Sequence, residues 1–135
     1  ELLELREKAY YAARDVGATD LVDIVVPRGE IPKFVEQIHE ISAKYATIIG
    51  CAGHAGDGNV HLAILEQDAD RLSIILKEIY VVGKTLGGTI SAEHGIGSER
   101  RKYLLEMEDK VKIELMRRIK KAFDPNYILN PGKIF

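Results

Sequence analysis

The sequence has little of what marks a secreted, membrane-spanning or nucleic-acid-binding protein. Its 135 residues include one cysteine, which excludes an internal disulfide framework and favours a reducing compartment. No apolar run approaches the length of a membrane span, and no signal-peptide pattern is present. The 19 basic residues do not outnumber the 21 acidic ones, so neither nucleic acid nor anionic lipid is an expected partner. We expect a cytoplasmic domain and, since the chain starts at Glu1, a fragment of a longer protein.

The composition and the hydrophobic pattern of the sequence predict one α+β domain over residues 1–135. The hydrophobic fraction of 46% is enough for a core at this length, and no repeat or linker interrupts the chain. Periodicity predicts an N-terminal helix ending at Gly17, strands at 21–26, 47–51, 60–65 and 89–92, helices at 31–45 and 70–86, and a helical tail at 98–123. The central order is that of a ferredoxin-like βαββαβ fold, an antiparallel sheet with both helices on one face.

The residues able to do chemistry lie in and beside two glycine-rich stretches. His54 and His61 belong to the first, and residues 53–59 are expected to be irregular. Strand alternation places His61 on the face opposite the apolar side chains, and so on the open face of the sheet. Glu93 and His94 follow the fourth strand. Two imidazoles and a carboxylate can hold a divalent metal, although both histidines can equally hydrogen-bond the backbone of the turn.

Other residues give weaker functional predictions or none. His94 can serve as a general base or be an ordinary loop histidine. His39 is predicted to be a solvated helix residue, and Cys51 a small core residue. The glycines of residues 53–58 precede a strand rather than a helix, which excludes a dinucleotide-binding fingerprint.

Three stretches together resemble one family. Residues 53–61, Gly-His-Ala-Gly-Asp-Gly-Asn-Val-His, resemble the Gly-His-x-Gly-Asp-Gly-Asn-x-His motif of FAD-linked oxidases. Residues 89–97 resemble the second motif of that family, and residues 124–133 resemble its chain end. The family includes the flavin subunit of glycolate oxidase, D-lactate dehydrogenases and D-2-hydroxyglutarate dehydrogenase, all with a vanillyl-alcohol-oxidase-type flavin fold. The resemblance covers essentially the whole chain and is to the C-terminal domain.

The resemblance implies roles for individual residues. The implied ligands of a zinc, iron or manganese ion are His54, His61 and Glu93. His94 matches the proposed base that removes the substrate's hydroxyl proton. Asn130 matches a position that approaches the FAD, and Arg6 is similar to an arginine that binds the substrate carboxylate.

The implied activity is the oxidation of a small D-2-hydroxy acid to its 2-oxo acid, with hydride transfer to FAD. The FAD would be bound mainly by an N-terminal domain that this chain lacks, so the isolated domain is expected to be inactive. An iron-sulfur or other electron-acceptor subunit and an oligomer are further implied partners. Some relatives have an asparagine at the position of Ala63 and a lysine near that of Leu21, and the departures here favour lactate or glycolate over a dicarboxylate.

Two other functions are left open by the residues themselves. One is a stand-alone ferredoxin-like module that binds a small molecule or a metal without catalysis. The other is a metal hydrolase that uses the same two histidines and glutamate.

Overall fold

The structure is a computed structural model that describes Lys8, Tyr11, Ala12 and residues 14–135. The chain divides into two compact units, Glu1–Glu93 and His94–Phe135. The predicted N-terminal helix lies largely outside the described residues, as does Arg6. Its described positions between 8 and 15 are helical, and Gly17 follows with a φ of +93°. A positive φ at glycine is the expected end of such a helix.

The described part of the first unit contains a three-stranded sheet and two α-helices. The elements are β1 (Asp20–Val25), α1 (Ile31–Tyr45), β2 (Ile48–His54), β3 (Asn59–Leu65) and α2 (Ala69–Thr85), with a 3-10 turn at Arg28–Glu30. The sheet has the order β1-β3-β2, and both pairings are antiparallel. The predicted α+β fold with a ferredoxin-like arrangement is therefore confirmed.

Local sequence signals explain where the helices begin and end. Pro32 occupies the first turn of α1, where a missing N–H costs nothing. Asp68 caps α2 by accepting hydrogen bonds from the N–H groups of Asp70 (3.0 Å) and Arg71 (2.9 Å). After α2 the chain turns at Gly87, which has a φ of +82°.

Both helices pack on one face of the sheet. The buried apolar side chains of this layer are Val22, Ile24, Ile49, Val60, Leu62 and Ile64 from the sheet, and Phe34, Ile38, Ile41, Ile75, Leu76, Ile79 and Tyr80 from the helices. A Cβ added at Gly83 would lie 2.3 Å from Ile24 Cδ1, so glycine lets α2 approach β1 closely. The Lys44 ammonium and the Glu78 carboxylate join the two helices at 2.8 Å. Neither α1 nor α2 packs on the opposite face of the sheet, which is the face that the strand alternation predicts to be open.

The glycine-rich stretch is more regular than predicted. Strand β2 continues to His54 and β3 begins at Asn59, so only residues 55–58 form the turn between them. Pairing to β3 holds Gly53, the first glycine of this stretch, in extended backbone. Strand β2 is also an edge strand, and Cys51 is exposed, contrary to the prediction that it is a core residue.

The predicted fourth strand at 89–92 is a single bridge in the described structure. Thr89 pairs with Val25 in antiparallel sense, with Thr89 N–H donating to the Val25 carbonyl at 3.0 Å. The next backbone groups do not continue the ladder, because the N–H groups of Ala92 and Glu93 donate to the side chain of Asp23 instead. The segment therefore turns in over the open face.

The second unit has two helices where the sequence predicted one tail from 98 to 123. Helix α3 spans Arg101–Met107 and helix α4 spans Lys110–Phe123. The break occurs because Asp109 caps α4, accepting from the N–H groups of Val111 (2.7 Å) and Lys112 (3.2 Å). Within the described residues, no helix of either unit combines the length and apolarity that a membrane span needs.

A buried carboxylate organises the chain after α4. Asp124 is 3% exposed and accepts hydrogen bonds from the N–H groups of Ile128 (2.9 Å) and Leu129 (3.0 Å). The Lys120 ammonium beside Asp124, helped by the two N–H groups, holds the pKa of that carboxyl below its ordinary value. The ionised carboxylate thus fixes the turns that lead to Asn130.

Candidate functional site

The β2–β3 hairpin places His54 and His61 together on the open face of the sheet. His54 is the last residue of β2, and His61 pairs with Ala52 two residues earlier on that strand. Because alternate residues share a face, all three side chains project to the same side. The two imidazole rings meet edge to face, with centroids 5.2 Å apart and planes at 88°.

The turn between the two histidines requires glycine at specific positions. Gly58 has a φ of +78°, and its carbonyl accepts a hydrogen bond from Val26 N–H at 3.0 Å. A Cβ at Gly58 would lie 2.2 Å from the Val26 carbonyl oxygen, and one at Gly53 would lie 2.3 Å from that of Asn59. A side chain at either position would force backbone apart. These glycines are therefore what permits the tight hairpin that sets the separation of His54 and His61.

Glu93 completes a cluster with the two histidines. Its Oε1 lies 2.9 Å from His61 Nε2 and 3.4 Å from His54 Nε2. One ligand atom from each of the three residues lies within 4.8 Å of the others. The side chains are partly exposed, 36% for His54, 23% for His61 and 49% for Glu93. The structure thus brings together the three side chains that the sequence analysis grouped, and solvent or a small molecule can reach them.

Asp23 is a fourth polar residue at this site, and the sequence analysis did not include it. It lies directly opposite His61 in the β1–β3 register and is 5% exposed. Its Oδ1 is 3.6 Å from His61 Nδ1, while its Oδ2 accepts hydrogen bonds from the backbone of Ala92 and Glu93. The signal that could have found it is a charged residue in the middle of an apolar strand, whose burial costs free energy unless partners satisfy it.

The next row of the open face is apolar, with one leucine and two small residues. Ala63 pairs with Leu21 on one side and with Gly50 on the other. Among the described residues, a Cβ added at Gly50 would contact Ala63 alone, at 3.8 Å from its Cβ and 3.9 Å from its carbonyl oxygen. The row formed by Leu21, Ala63 and Gly50 beside His61 therefore carries no charged side chain on any of the three strands.

The remaining predicted residues are His94 and Asn130 of the second unit and His39 of α1. His94 is the first residue of the second unit and is exposed. Asn130 is also in the second unit, at a turn where its φ is +46° and its carbonyl accepts from Lys133 N–H at 3.3 Å. It lines a groove of about 680 Å³ in that unit together with Ile119, Leu129 and Phe135. His39, as predicted, is exposed on α1.

Comparison with known proteins places these observations in a family. The family described as FAD linked oxidases, C-terminal domain, matches residues 1–134. An uncharacterized FAD-linked oxidoreductase of Mycobacterium tuberculosis is 49% identical over 136 residues, covering 100% of this chain and 29% of that protein. Glycolate oxidase subunit GlcD of Bacillus subtilis is 42% identical over 99% of this chain and 30% of its own length. D-lactate dehydrogenase of Anaerostipes hadrus is 36% identical over 89% of this chain and 26% of its own. The chain thus spans less than a third of the length of these curated relatives.

Proposed function

The chain belongs to the family of FAD-linked oxidase C-terminal domains, and from this premise we propose that it is the substrate- and metal-binding part of a longer FAD-dependent D-2-hydroxy-acid dehydrogenase. The proposed reaction oxidises a small D-2-hydroxy acid, of the lactate or glycolate type, to its 2-oxo acid. The observation that supports this most strongly is the cluster of His54, His61 and Glu93 on the open face. The names of two relatives, a glycolate oxidase subunit and a D-lactate dehydrogenase, point to the same substrate class.

The donor set of the cluster fits a divalent metal. Zinc and similar ions bind imidazole nitrogen and carboxylate oxygen at about 2.0–2.2 Å, so adjacent donors around one tetrahedral ion lie about 3.3–3.6 Å apart. The separations from Glu93 Oε1, 3.4 Å to His54 Nε2 and 2.9 Å to His61 Nε2, are close to that spacing. Three protein ligands leave a position for substrate, and an ion held there would make the substrate hydroxyl more acidic.

The apolar row beside the cluster supports a small substrate with one carboxylate. Leu21, Gly50 and Ala63 lie next to the row of His61 and offer no cation for a second carboxylate. A methyl group or hydrogen on the substrate's α-carbon can lie over this surface. An additional carboxylate placed there would lose its hydration without a compensating partner. This row of the described strands thus supports lactate or glycolate, rather than a dicarboxylate, as the proposed substrate.

Proton transfer is assigned to His94 in this proposal. Its imidazole would accept the proton of the substrate hydroxyl as the α-carbon is oxidised, because imidazole readily exchanges a proton near neutral pH. His94 follows Glu93 directly in sequence, and its side chain is exposed. Arg6 remains the proposed partner of the substrate carboxylate, and Asn130 the proposed flavin-side residue.

The flavin, when bound, supplies the redox chemistry by accepting a hydride, and this chain orients the substrate toward it. An N-terminal FAD-binding domain is the proposed covalent partner, since the relatives are more than three times as long as this chain. A cytoplasmic location, an electron-acceptor subunit and an oligomer stay predictions.

The test is to replace His61 with alanine in the full-length protein. We expect FAD to remain bound, measured by its absorbance after denaturation, while D-lactate and glycolate oxidation falls to background and divalent metal is lost. His39→Ala is the matched control, because it removes an exposed histidine from α1. A His61→Ala protein that oxidises D-lactate at the rate of the wild type would contradict the proposal. A wild-type protein that binds the metal but no FAD would favour the non-catalytic module.

A further inference from the structure

The carboxylate of Asp23 connects two members of the His54–His61–Glu93 cluster. We propose that Asp23 is the positioning residue of this site: one oxygen orients the His61 imidazole, and the other fixes the backbone that carries Glu93. This inference rests on the proposed function, because it assigns Asp23 to the support of a metal site. It goes beyond that function, because neither the sequence motifs nor the family assignment gives Asp23 a role.

Asp23 holds the backbone segment that carries Glu93. Its Oδ2 accepts hydrogen bonds from Ala92 N–H (2.9 Å) and Glu93 N–H (2.8 Å), and Ser91 Oγ lies 3.3 Å away as a third donor. Residues 91–93 belong to no strand or helix. The side chain of Asp23 therefore replaces the missing strand pairing and fixes where the Glu93 side chain begins.

Asp23 also acts on the orientation of the His61 ring. Asp23 and His61 are direct cross-strand partners, and Asp23 Oδ1 faces His61 Nδ1 at 3.6 Å, slightly longer than a hydrogen bond but close enough for the carboxylate charge to act on the ring. The other ring nitrogen, Nε2, is the atom beside Glu93 Oε1. A neutral imidazole carries its proton on one nitrogen and can accept or bind a metal only at the other. A carboxylate facing Nδ1 favours the proton there, which leaves the Nε2 lone pair directed at the cluster.

The burial of the Asp23 carboxylate is a third observation that supports this role. Asp23 is 5% exposed in the centre of the sheet, where an ionised group costs several kcal/mol unless it is well partnered. An apolar residue at this position would suit the strand better if stability were all that mattered. The partners that stabilise the charge lie on the segment of Glu93 and on the cross-strand His61. The buried carboxylate therefore serves the arrangement of these ligands.

The decisive variant is Asp23→Asn in the full-length protein. An asparagine side chain offers one accepting oxygen and one donating NH₂ group, so it cannot accept on both sides. If its oxygen keeps the Ala92 and Glu93 amides, its NH₂ faces His61 Nδ1 and favours the tautomer with the proton on Nε2. We therefore expect the affinity of the metal-free protein for Co²⁺ to fall by about 10- to 100-fold, as is typical when an outer partner of a ligand is lost.

Co²⁺ is the probe because its visible absorption spectrum reports the geometry of the ligands. Asp20→Asn is the matched control, since it makes the same charge change three residues earlier on β1, and its affinity and spectrum should equal those of the wild type. An Asp23→Asn protein with wild-type affinity and spectrum would overturn the inference while leaving the proposed metal site intact. A wild-type protein that binds no Co²⁺ would overturn both.

A second measurement needs no variant and covers the case in which Asp23→Asn does not fold. In wild-type full-length protein labelled with ¹⁵N only at histidine, metal-free at mildly alkaline pH, the nitrogen shifts of His61 give its tautomer. We expect the proton on Nδ1 and a free Nε2. A proton on Nε2 would overturn the assignment of Asp23 as the residue that orients His61.

Discussion

Asp23 and His61 lie opposite each other on neighbouring strands, with Asp23 Oδ1 and His61 Nδ1 3.6 Å apart. Two residues away on each strand, Leu21 pairs with Ala63. Residue pairs two positions apart in a sheet share a face, so the polar pair and the apolar pair lie side by side. One strand register therefore sets both the support of the proposed metal site and the surface that we propose faces the substrate. A slip of one residue would turn both pairs to the helical face.

Glu93→Gln tests the charged member of the cluster. An amide oxygen is a weaker ligand than a carboxylate, and the substitution removes the negative charge beside His54 and His61. We expect metal affinity to fall by more than the roughly 10- to 100-fold typical of losing an outer partner, with FAD content unchanged. Metal content after dialysis against a metal buffer measures this. Glu99→Gln, an exposed glutamate of the second unit, is the control, and equal metal content in both variants would refute the role of Glu93.

Gly58→Ala tests the turn of the hairpin. The new Cβ would lie 2.2 Å from the Val26 carbonyl oxygen on a backbone with a φ of +78°. We expect the free energy of unfolding to fall by about 1–3 kcal/mol, the usual cost of a residue held in an unfavourable backbone region, or by more. Gly56→Ala is the matched control, because no atom in the described part of the chain lies within 4 Å of its added Cβ. Urea denaturation of the two variants should separate them, and equal midpoints would show that the turn tolerates a side chain.

Substitution of the apolar row tests the substrate preference. A Leu21→Lys/Ala63→Asn double variant introduces a cation and a hydrogen-bonding group beside His61. We expect the ratio of kcat/KM for D-lactate over D-2-hydroxyglutarate to fall by at least about tenfold, since one well-placed polar contact is worth about 1–3 kcal/mol. Ile48→Asn, at the far end of β2 from His54, should leave that ratio unchanged. An unaltered ratio in the double variant would place the substrate's side chain elsewhere.

Asp124 gives the second unit a defined dependence on pH. Its pKa is lowered in the folded state, chiefly by Lys120, so its stabilising contribution is complete above its unfolded pKa and is lost as the pH falls through the lower, folded pKa. Asp124→Asn should therefore speed hydrogen exchange at the Ile128 and Leu129 amides at pH 7. The difference in exchange rate between the variant and the wild type should disappear in strong acid, below the ordinary aspartate pKa of about 3.9. A difference that is independent of pH would mean that the charge of Asp124 does not matter.

Much of the fold could be predicted from the sequence because the signals are local. The apolar periodicity of residues 31–45 and the alternation of residues 60–65 identify the helix and the strand, and with them the open face that carries His61. The glycine-rich stretches and the strand alternation already group His54, His61 and Glu93, the resemblance of the motifs implies the same set, and the structure places the three side chains together.

What the sequence could not supply depends on contacts between distant residues. The strand expected at 89–92 ends after Thr89, because the Ala92 and Glu93 amides bind a side chain 69 and 70 residues away. Asp23 gains its place at the site only through the register of β1 with β3, and no local pattern fixes that register. The break between α3 and α4 is different, since the capping aspartate, Asp109, is a recognisable local signal.

The most direct test of the proposed chemistry is D-lactate turnover by full-length protein from which divalent metal has been removed by a chelator, with FAD left in place. The account predicts that oxidation stops on metal removal and returns when zinc or manganese is added back to the wild type, but not to His61→Ala. Full turnover by the metal-free protein would contradict the assignment of His54, His61 and Glu93 as ligands that catalysis requires.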